Sequence, residues 1–224
     1  MKKLYAFACL IIVLCIVASA VLLLVTPDTI PVHYNFAGEV DRFGSKYENL
    51  IFPAFAVLLG VFFLSFAKRQ RKKGELVNEK VLLYSGACTL LFFTALSIYF
   101  MLKALRYDPA AAPALRVDFM RFVSIAIGIL LVLLGPVMPK TRRNALFGLR
   151  TKWSMASDGV WQKSQRFAGL ASVLCGLAMI VAAVFVPGIW NVLLMTVVIV
   201  IWLAASVIAS YRYYRAEQSG EREA

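Results

Sequence analysis

The chain contains one histidine, His33, set in a polar stretch that runs Pro31-Val-His-Tyr-Asn-Phe-Ala-Gly-Glu-Val-Asp-Arg-Phe-Gly-Ser-Lys46 between long apolar runs. An imidazole near neutral pH can hold a metal, move a proton or sense pH. A zinc site built on a single histidine needs oxygen ligands, and Asp28, Glu39 and Asp41 are the carboxylates near it in sequence. His33 with Asp41 is therefore the combination through which a metal ion or acid–base chemistry would enter. There is no His-Glu-x-x-His and no visible nucleophile–base pair. The simpler expectation for His33 is a hydrogen bond that holds the stretch together. No cofactor is expected, a metal ion at this stretch being the one exception the residue types allow.

A second group with binding chemistry lies between Pro139 and Arg166: Asn144, Gly148, Arg150, Thr151, Trp153 and Trp161. A guanidinium can take a carboxylate or a lipid phosphate through two parallel hydrogen bonds. Asn144 and Thr151 could add further bonds to the ligand of Arg150. Equally, the segment could be a headgroup anchor that positions the helices on either side. Ser157-Asp158 reads as a helix start, with a hydroxyl cap and a carboxylate at the positive helix end. Trp161, Gln165 and Ala168 then share a face, and Trp161 is expected at the headgroup belt.

These residues must be positioned by membrane helices. The sequence is 61% hydrophobic with a mean hydropathy of +0.77, the composition of a multi-pass membrane protein. A span needs about 20 apolar residues, and Leu4–Val25, Leu50–Ala67, Val81–Leu102, Phe119–Met138, Phe167–Val186 and Ile189–Ser210 qualify. The expected fold class is an all-α membrane protein with six transmembrane helices. The Lys2-Lys3 start and Ala18-Ser19-Ala20 mimic a cleaved signal, but the apolar run continues to Val25, so a retained first helix is expected.

Lys and Arg fall unevenly. With the N-terminus inside, 18 lie on the inner side and six (Arg42, Lys46, Lys103, Arg106, Arg116 and Arg121) on the outer. The positive-inside rule then places both termini in the cytoplasm and the His33 stretch outside, as a structured extracytoplasmic loop between helices one and two. The +12 net charge flanks helices, which suits anionic lipid headgroups rather than nucleic acid. Cys9, Cys15, Cys88 and Cys175 all sit in apolar spans, so disulfides are not expected. None of the six spans carries an ionisable group at depth, which argues against a proton-driven pump.

Inside the outer loop, Ile30 to Phe36 alternates apolar and polar residues, a strand-like pattern. Ala37-Gly38-Glu39 and Phe43-Gly44-Ser45 mark turns. Tyr34, Phe36 and Phe43 could receive an amphipathic peptide or lipid, or simply sit in the interfacial belt. The Lys103–Asp118 loop reads as a short irregular cover and Pro187-Gly188 as a tight turn. Ser124 and Gly128 form a small-x-x-x-small pair that would serve a homo-oligomer.

Two motifs resemble a known family. Ile30-Pro-Val-His33-Tyr-Asn35-Phe-Ala-Gly38-Glu-Val-Asp41-Arg-Phe-Gly-Ser-Lys46 is similar to the signature of a small membrane module of unknown function. Asn144-Ala-Leu-Phe-Gly148-Leu-Arg150-Thr151-Lys-Trp153-Ser154, followed by Trp161, resembles the hallmark of the SdpI-like immunity proteins, which carry both modules in this order. Ser154 stands where the family pattern more often has Thr, which keeps the hydroxyl. The resemblance implies two units, 1–103 and 104–224, in a bacterial cytoplasmic membrane protein that protects its host from a secreted peptide toxin. It also implies a transcriptional repressor held at the inner face. Carried over, the ligand-facing residues are His33, Asn35, Gly38, Asp41 and Lys46 outside, with Asn144, Gly148, Arg150, Thr151, Trp153 and Trp161 inside. The competing reading from the residues alone is a membrane-embedded enzyme acting on a peptide or lipid through His33 and Asp41.

Overall fold

The computed structural model describes residues 1–35, 40–107, 119–144 and 146–223. Six helices dominate it: α1 Lys2–Val25, α2 Ile51–Lys72, α3 Leu76–Leu105, α4 Phe119–Leu134, α5 Asp158–Phe185 and α6 Gly188–Glu223. All six are long and apolar enough to cross a membrane, α4 together with the 3-10 turn Gly135–Lys140 that continues it. The six-span expectation holds.

The helices pack as two groups of three. α1 and α2 lie against α3, α4 and α6 lie against α5, and α3 touches α4 and its 3-10 extension. Large apolar side chains such as Leu14, Leu58, Leu174 and Val200 point outward. Small and hydroxylated residues turn inward instead: Ser19 and Ser97 share a 3.1 Å hydrogen bond between α1 and α3, and the Ser172 hydroxyl donates to the Leu131 carbonyl at 3.0 Å. This inversion follows from the solvent, since lipid gives no reward for burying leucine and helix contacts rely on close packing and interhelical hydrogen bonds.

α4 and α5 approach each other backbone to backbone. A Cβ placed on Gly128 would lie 2.7 Å from the Gly176 carbonyl oxygen, and one on Gly176 would lie 2.5 Å from that of Gly128. Gly135 and Gly169 repeat the arrangement two turns along. The Ser124–Gly128 pair, expected to serve a second copy of the chain, is thus used within it. Ser124 is buried and Gly128 faces α5.

The connector after α1 is a two-stranded antiparallel hairpin, β1 Thr29–Tyr34 and β2 Val40–Ser45. Thr29 pairs with Ser45, and the register slips around His33. A 3-10 turn, Lys46–Leu50, leads into α2 and is closed by a capping box between Ser45 and Glu48. The strand-like alternation predicted for this stretch is therefore a small sheet within a helical protein. Gly38, with Phe36 and Glu39, and the predicted cover loop beyond Tyr107 lie outside the described residues. The hairpin meets the far end of α3 through an edge-on contact of Phe43 and Tyr107, centroids 5.7 Å apart. At the opposite end, the α2–α3 turn meets the 141–157 connector, where the Arg142 amide donates to Asn78 Oδ1 at 3.1 Å.

Candidate functional site

Charge pairing organises the hairpin. His33 Nδ1 lies 2.6 Å from Asp41 Oδ1 across the strands, with both side chains largely exposed. Arg42 forks onto Glu48, Nη2 to Oε2 at 2.8 Å and Nη1 to Oε1 at 3.3 Å, and that hydrogen-bonded carboxylate raises the guanidinium above its already high range. Lys46 is mostly enclosed. Its Nζ lies 3.0 Å from Asp28 Oδ1, it donates to the Thr26 carbonyl at 3.4 Å, and its amide donates to the Asp28 carbonyl at 3.0 Å. Lys46 thereby ties the exit of the hairpin to the end of α1. Asn35 follows β1 directly and is also partnered.

His33, Asp41 and Lys46 thus fall into two separate pairs, His33–Asp41 and Lys46–Asp28. Among the described residues, no third His, Cys, Asp or Glu joins His33 and Asp41. Beside these paired charges the hairpin region presents aromatic and aliphatic surface: Phe43, Tyr47 and Ile51 are each more than half exposed. Lys46→Met is expected to lower stability by about 1 kcal/mol and to speed proteolysis within the hairpin. Lys46→Arg should retain most of the protection.

The inner connector, 141–157, is folded almost entirely by its own motif residues. Asn144 Oδ1 accepts from the amides of Leu146 and Phe147, both at 2.8 Å, and its Nδ2 donates to the Arg142 carbonyl at 2.8 Å. This is an Asx-type turn. Gly148 has φ +108, where a side chain is strained, and a Cβ there would sit 2.6 Å from Gln165 Oε1. The fully buried Gln165 needs that room. Its Oε1 accepts from the Leu149 amide at 2.9 Å and its Nε2 donates to the Leu149 carbonyl at 2.8 Å. Thr151 and Ser154 clasp each other, amide to hydroxyl, both at 2.9 Å. The Thr151 hydroxyl also lies 2.8 Å from the Ser210 hydroxyl on α6. Ser157 caps α5 by accepting from the Val160 amide at 3.0 Å, as predicted, and donates to Glu217 at 2.6 Å.

Trp161, in the first turn of α5, is enclosed by the protein itself. It is 1% exposed, and its Nε1 donates to the Thr141 carbonyl at 2.9 Å, so the loop closes over it. Trp153 packs edge-on against Tyr211 at 5.0 Å, with the Lys152 ammonium 5.2 Å from the indole ring. Arg150 differs from the rest: it is exposed, and among the described residues no side chain pairs with it. Of the predicted inner residues, Asn144, Gly148, Thr151 and Trp161 build the loop, Trp153 braces it against α6, and Arg150 stands free for a partner.

Sequence reasoning passed over three residues. Gln165 was placed on the Trp161 face without a task, although a glutamine on a buried helix face signals an internal hydrogen-bonding duty. Asn78 and Glu79 fall just before the expected Val81–Leu102 span. They lie instead in the first turn of α3, and Glu79 is fully enclosed.

The loop and the helices that clasp it coincide with a known family: residues 140–210 match the SdpI/YfhL protein family. The chain carries an SdpI/YfhL module. The matched span begins at the loop and ends at the residue whose hydroxyl reaches Thr151. Residues 10–57 match a Domain of unknown function (DUF1648), which covers most of α1, the hairpin and the start of α2. Over 207 residues the chain is 27% identical to Immunity protein SdpI of Bacillus subtilis (strain 168), a match covering 92% of this chain and 94% of that protein. No solved structure matches the chain. The multi-pass protein is therefore a distant homologue of an immunity protein, with the SdpI/YfhL module at its C-terminal side.

Proposed function

We propose that this protein is an immunity protein of the bacterial cytoplasmic membrane. The hairpin faces outward and receives a secreted antimicrobial peptide, while the 141–157 loop faces the cytoplasm and engages a transcriptional repressor. Residues 1–103 act as the receiving half and 104–224 as the reporting half. The observation that carries this reading is the similarity to an immunity protein along nearly the whole length, with both family matches falling on the folded connectors. The distribution of Lys and Arg supports the orientation.

The hairpin's surface suggests the kind of peptide. Among the described residues its charges are matched in pairs while Phe43 and Tyr47 remain open, so an apolar, membrane-seeking segment suits it better than a strongly cationic one. Arg150, exposed and unpaired among the described residues, suits an acidic group on the inner partner.

Expression in a bacterium sensitive to secreted peptides tests the reading. The protein should raise the inhibitory concentration of at least one such peptide. Asp41→Ala should lower that protection about tenfold, the equivalent of about 1.4 kcal/mol in binding. Arg150→Ala should keep the protection and lose membrane recruitment of the repressor. Unchanged sensitivity to every peptide would rule out immunity, and turnover of a peptide or lipid that disappears in His33→Ala would make the protein an enzyme.

A further inference from the structure

α6 is 36 residues long, which makes about 54 Å of helix. A hydrocarbon core of about 30 Å leaves its final turns beyond the membrane. Of the six spans it is the least enclosed by the rest of the protein. Val197, Ile201 and Ile208 form an outward apolar stripe, each more than half exposed, and their spacing keeps them on one helix face. The same face continues through Tyr211 to Arg212 and Arg215, which are both exposed. The face that meets lipid tails therefore ends in two guanidinium groups one turn apart.

The 141–157 loop borders that end of the stripe. Thr151 Oγ1 lies 2.8 Å from Ser210 Oγ, and Trp153 packs edge-on against Tyr211 with ring centroids 5.0 Å apart. Lys152, exposed, holds its Nζ 5.2 Å from the centre of the Trp153 ring. A third cation thus stands beside the aromatic pair.

The acidic groups on these elements are engaged elsewhere. Glu217 accepts from the Ser157 hydroxyl at 2.6 Å, and Asp158 pairs with Arg143 Nε at 3.0 Å. Among the described residues no carboxylate pairs with Lys152, Arg212 or Arg215. The three cations therefore lack a counter-charge within the protein. Guanidinium forks match phosphate oxygens, and Trp and Tyr rings favour the boundary between tails and headgroups. An acidic protein would match the charges too, but it would leave their continuity with Val197, Ile201 and Ile208 unexplained.

We propose that this corner is a site for one anionic phospholipid. Its acyl chains run along the Val197–Ile208 stripe of α6, and its phosphate is held by Arg212, Arg215 and Lys152 beside the Trp153–Tyr211 pair. The bound lipid braces the loop and the end of α6 against each other. Arg150 takes no part in it. The site depends neither on what the hairpin binds nor on which side of the membrane this end of α6 faces.

α5 supplies the comparison. Its outward stripe of Leu170, Leu174 and Val181 also ends in two exposed cations, Lys163 and Arg166. General attraction between basic residues and an anionic leaflet acts on both helix ends alike, whereas a built site acts on one.

Native mass spectrometry of the purified full-length protein in detergent, with phosphatidylglycerol titrated in, counts bound lipid and gives its affinity. One phosphatidylglycerol should bind per chain, with phosphatidylcholine weaker by about tenfold. Arg212→Gln combined with Arg215→Gln should weaken phosphatidylglycerol by about 25-fold, and Lys152→Gln alone by about fivefold. Lys163→Gln combined with Arg166→Gln should leave the affinity within about twofold of the unaltered protein. Equal weakening by the two double variants would overturn the proposal, because only general basic attraction would remain. Equal affinity for phosphatidylcholine would overturn it too, as would full affinity without Arg212 and Arg215.

Discussion

Trp161→Ala is expected to remove about 3–5 kcal/mol of stability, as for other large aromatic truncations in a packed core. The indole is almost fully enclosed, so its loss leaves a cavity that neighbouring helices cannot readily fill. It also strands the Thr141 carbonyl that now accepts from Nε1 at 2.9 Å, and an unpaired buried carbonyl adds about 1–3 kcal/mol. Trp161→Phe separates the two contributions, since it keeps most of the volume and loses only the hydrogen bond. It should cost about 1–2 kcal/mol. Heating the detergent-solubilised protein and following the folded fraction by size exclusion measures both. A tryptophan lying in the headgroup belt would behave differently, with alanine and phenylalanine alike shifting stability by a few tenths. The same experiment therefore decides whether this residue anchors the loop or only the membrane position of α5.

The second large effect belongs to the helix pair that supports the loop from below. Gly176→Val is expected to cost about 2–3 kcal/mol through overpacking, because even the first side-chain carbon would meet the Gly128 carbonyl oxygen at 2.5 Å. Backbone cannot yield as a flexible side chain would, so α4 and α5 must separate along their contact. The reciprocal Gly128→Val should do the same, and the double variant should cost less than the sum, since one separation relieves both clashes. A control at Leu174, an exposed residue on α5, should be near neutral when replaced by valine. If Gly176→Val unfolds at the same temperature as the native protein, the close approach of α4 and α5 is not what holds this half together.

Much of the fold was legible because lipid imposes a simple demand: each span must be long, apolar and internally hydrogen-bonded. The hairpin was legible for a different reason, since alternation from Ile30 and the flanking proline and glycine residues leave few other conformations. Its pairing was less so. That Lys46 reaches back to Asp28 and Arg42 forward to Glu48 follows from where the strands reverse and re-enter the membrane. The burial of Trp161 was not legible, because a tryptophan near the end of a span can face lipid or protein, and here the choice rests on a loop carbonyl 20 residues earlier. Nothing in the sequence sets Glu79 apart from the basic residues around it between Lys68 and Lys80. It becomes buried only when α3 starts early, at Leu76, and residues from distant parts of the chain pack around the face it shares with Leu82 and Leu83. The inner motif itself was recognisable as a unit, yet nothing in its spacing told the residues that build the loop from Arg150, which the loop displays.

The peptide reading depends above all on which way the hairpin faces. Asp28 is almost fully exposed beside it and Arg150 is exposed on the opposite end, while Cys9, Cys15, Cys88 and Cys175 all lie within membrane helices. Single cysteines introduced as Asp28→Cys and Arg150→Cys can therefore be labelled in intact cells with a membrane-impermeant maleimide over a low background. Labelling of position 28 in intact cells, with position 150 labelled only after permeabilisation, is the expected result. Labelling of position 150 from outside, with position 28 protected, would invert the molecule and remove the hairpin from the side on which a secreted peptide arrives.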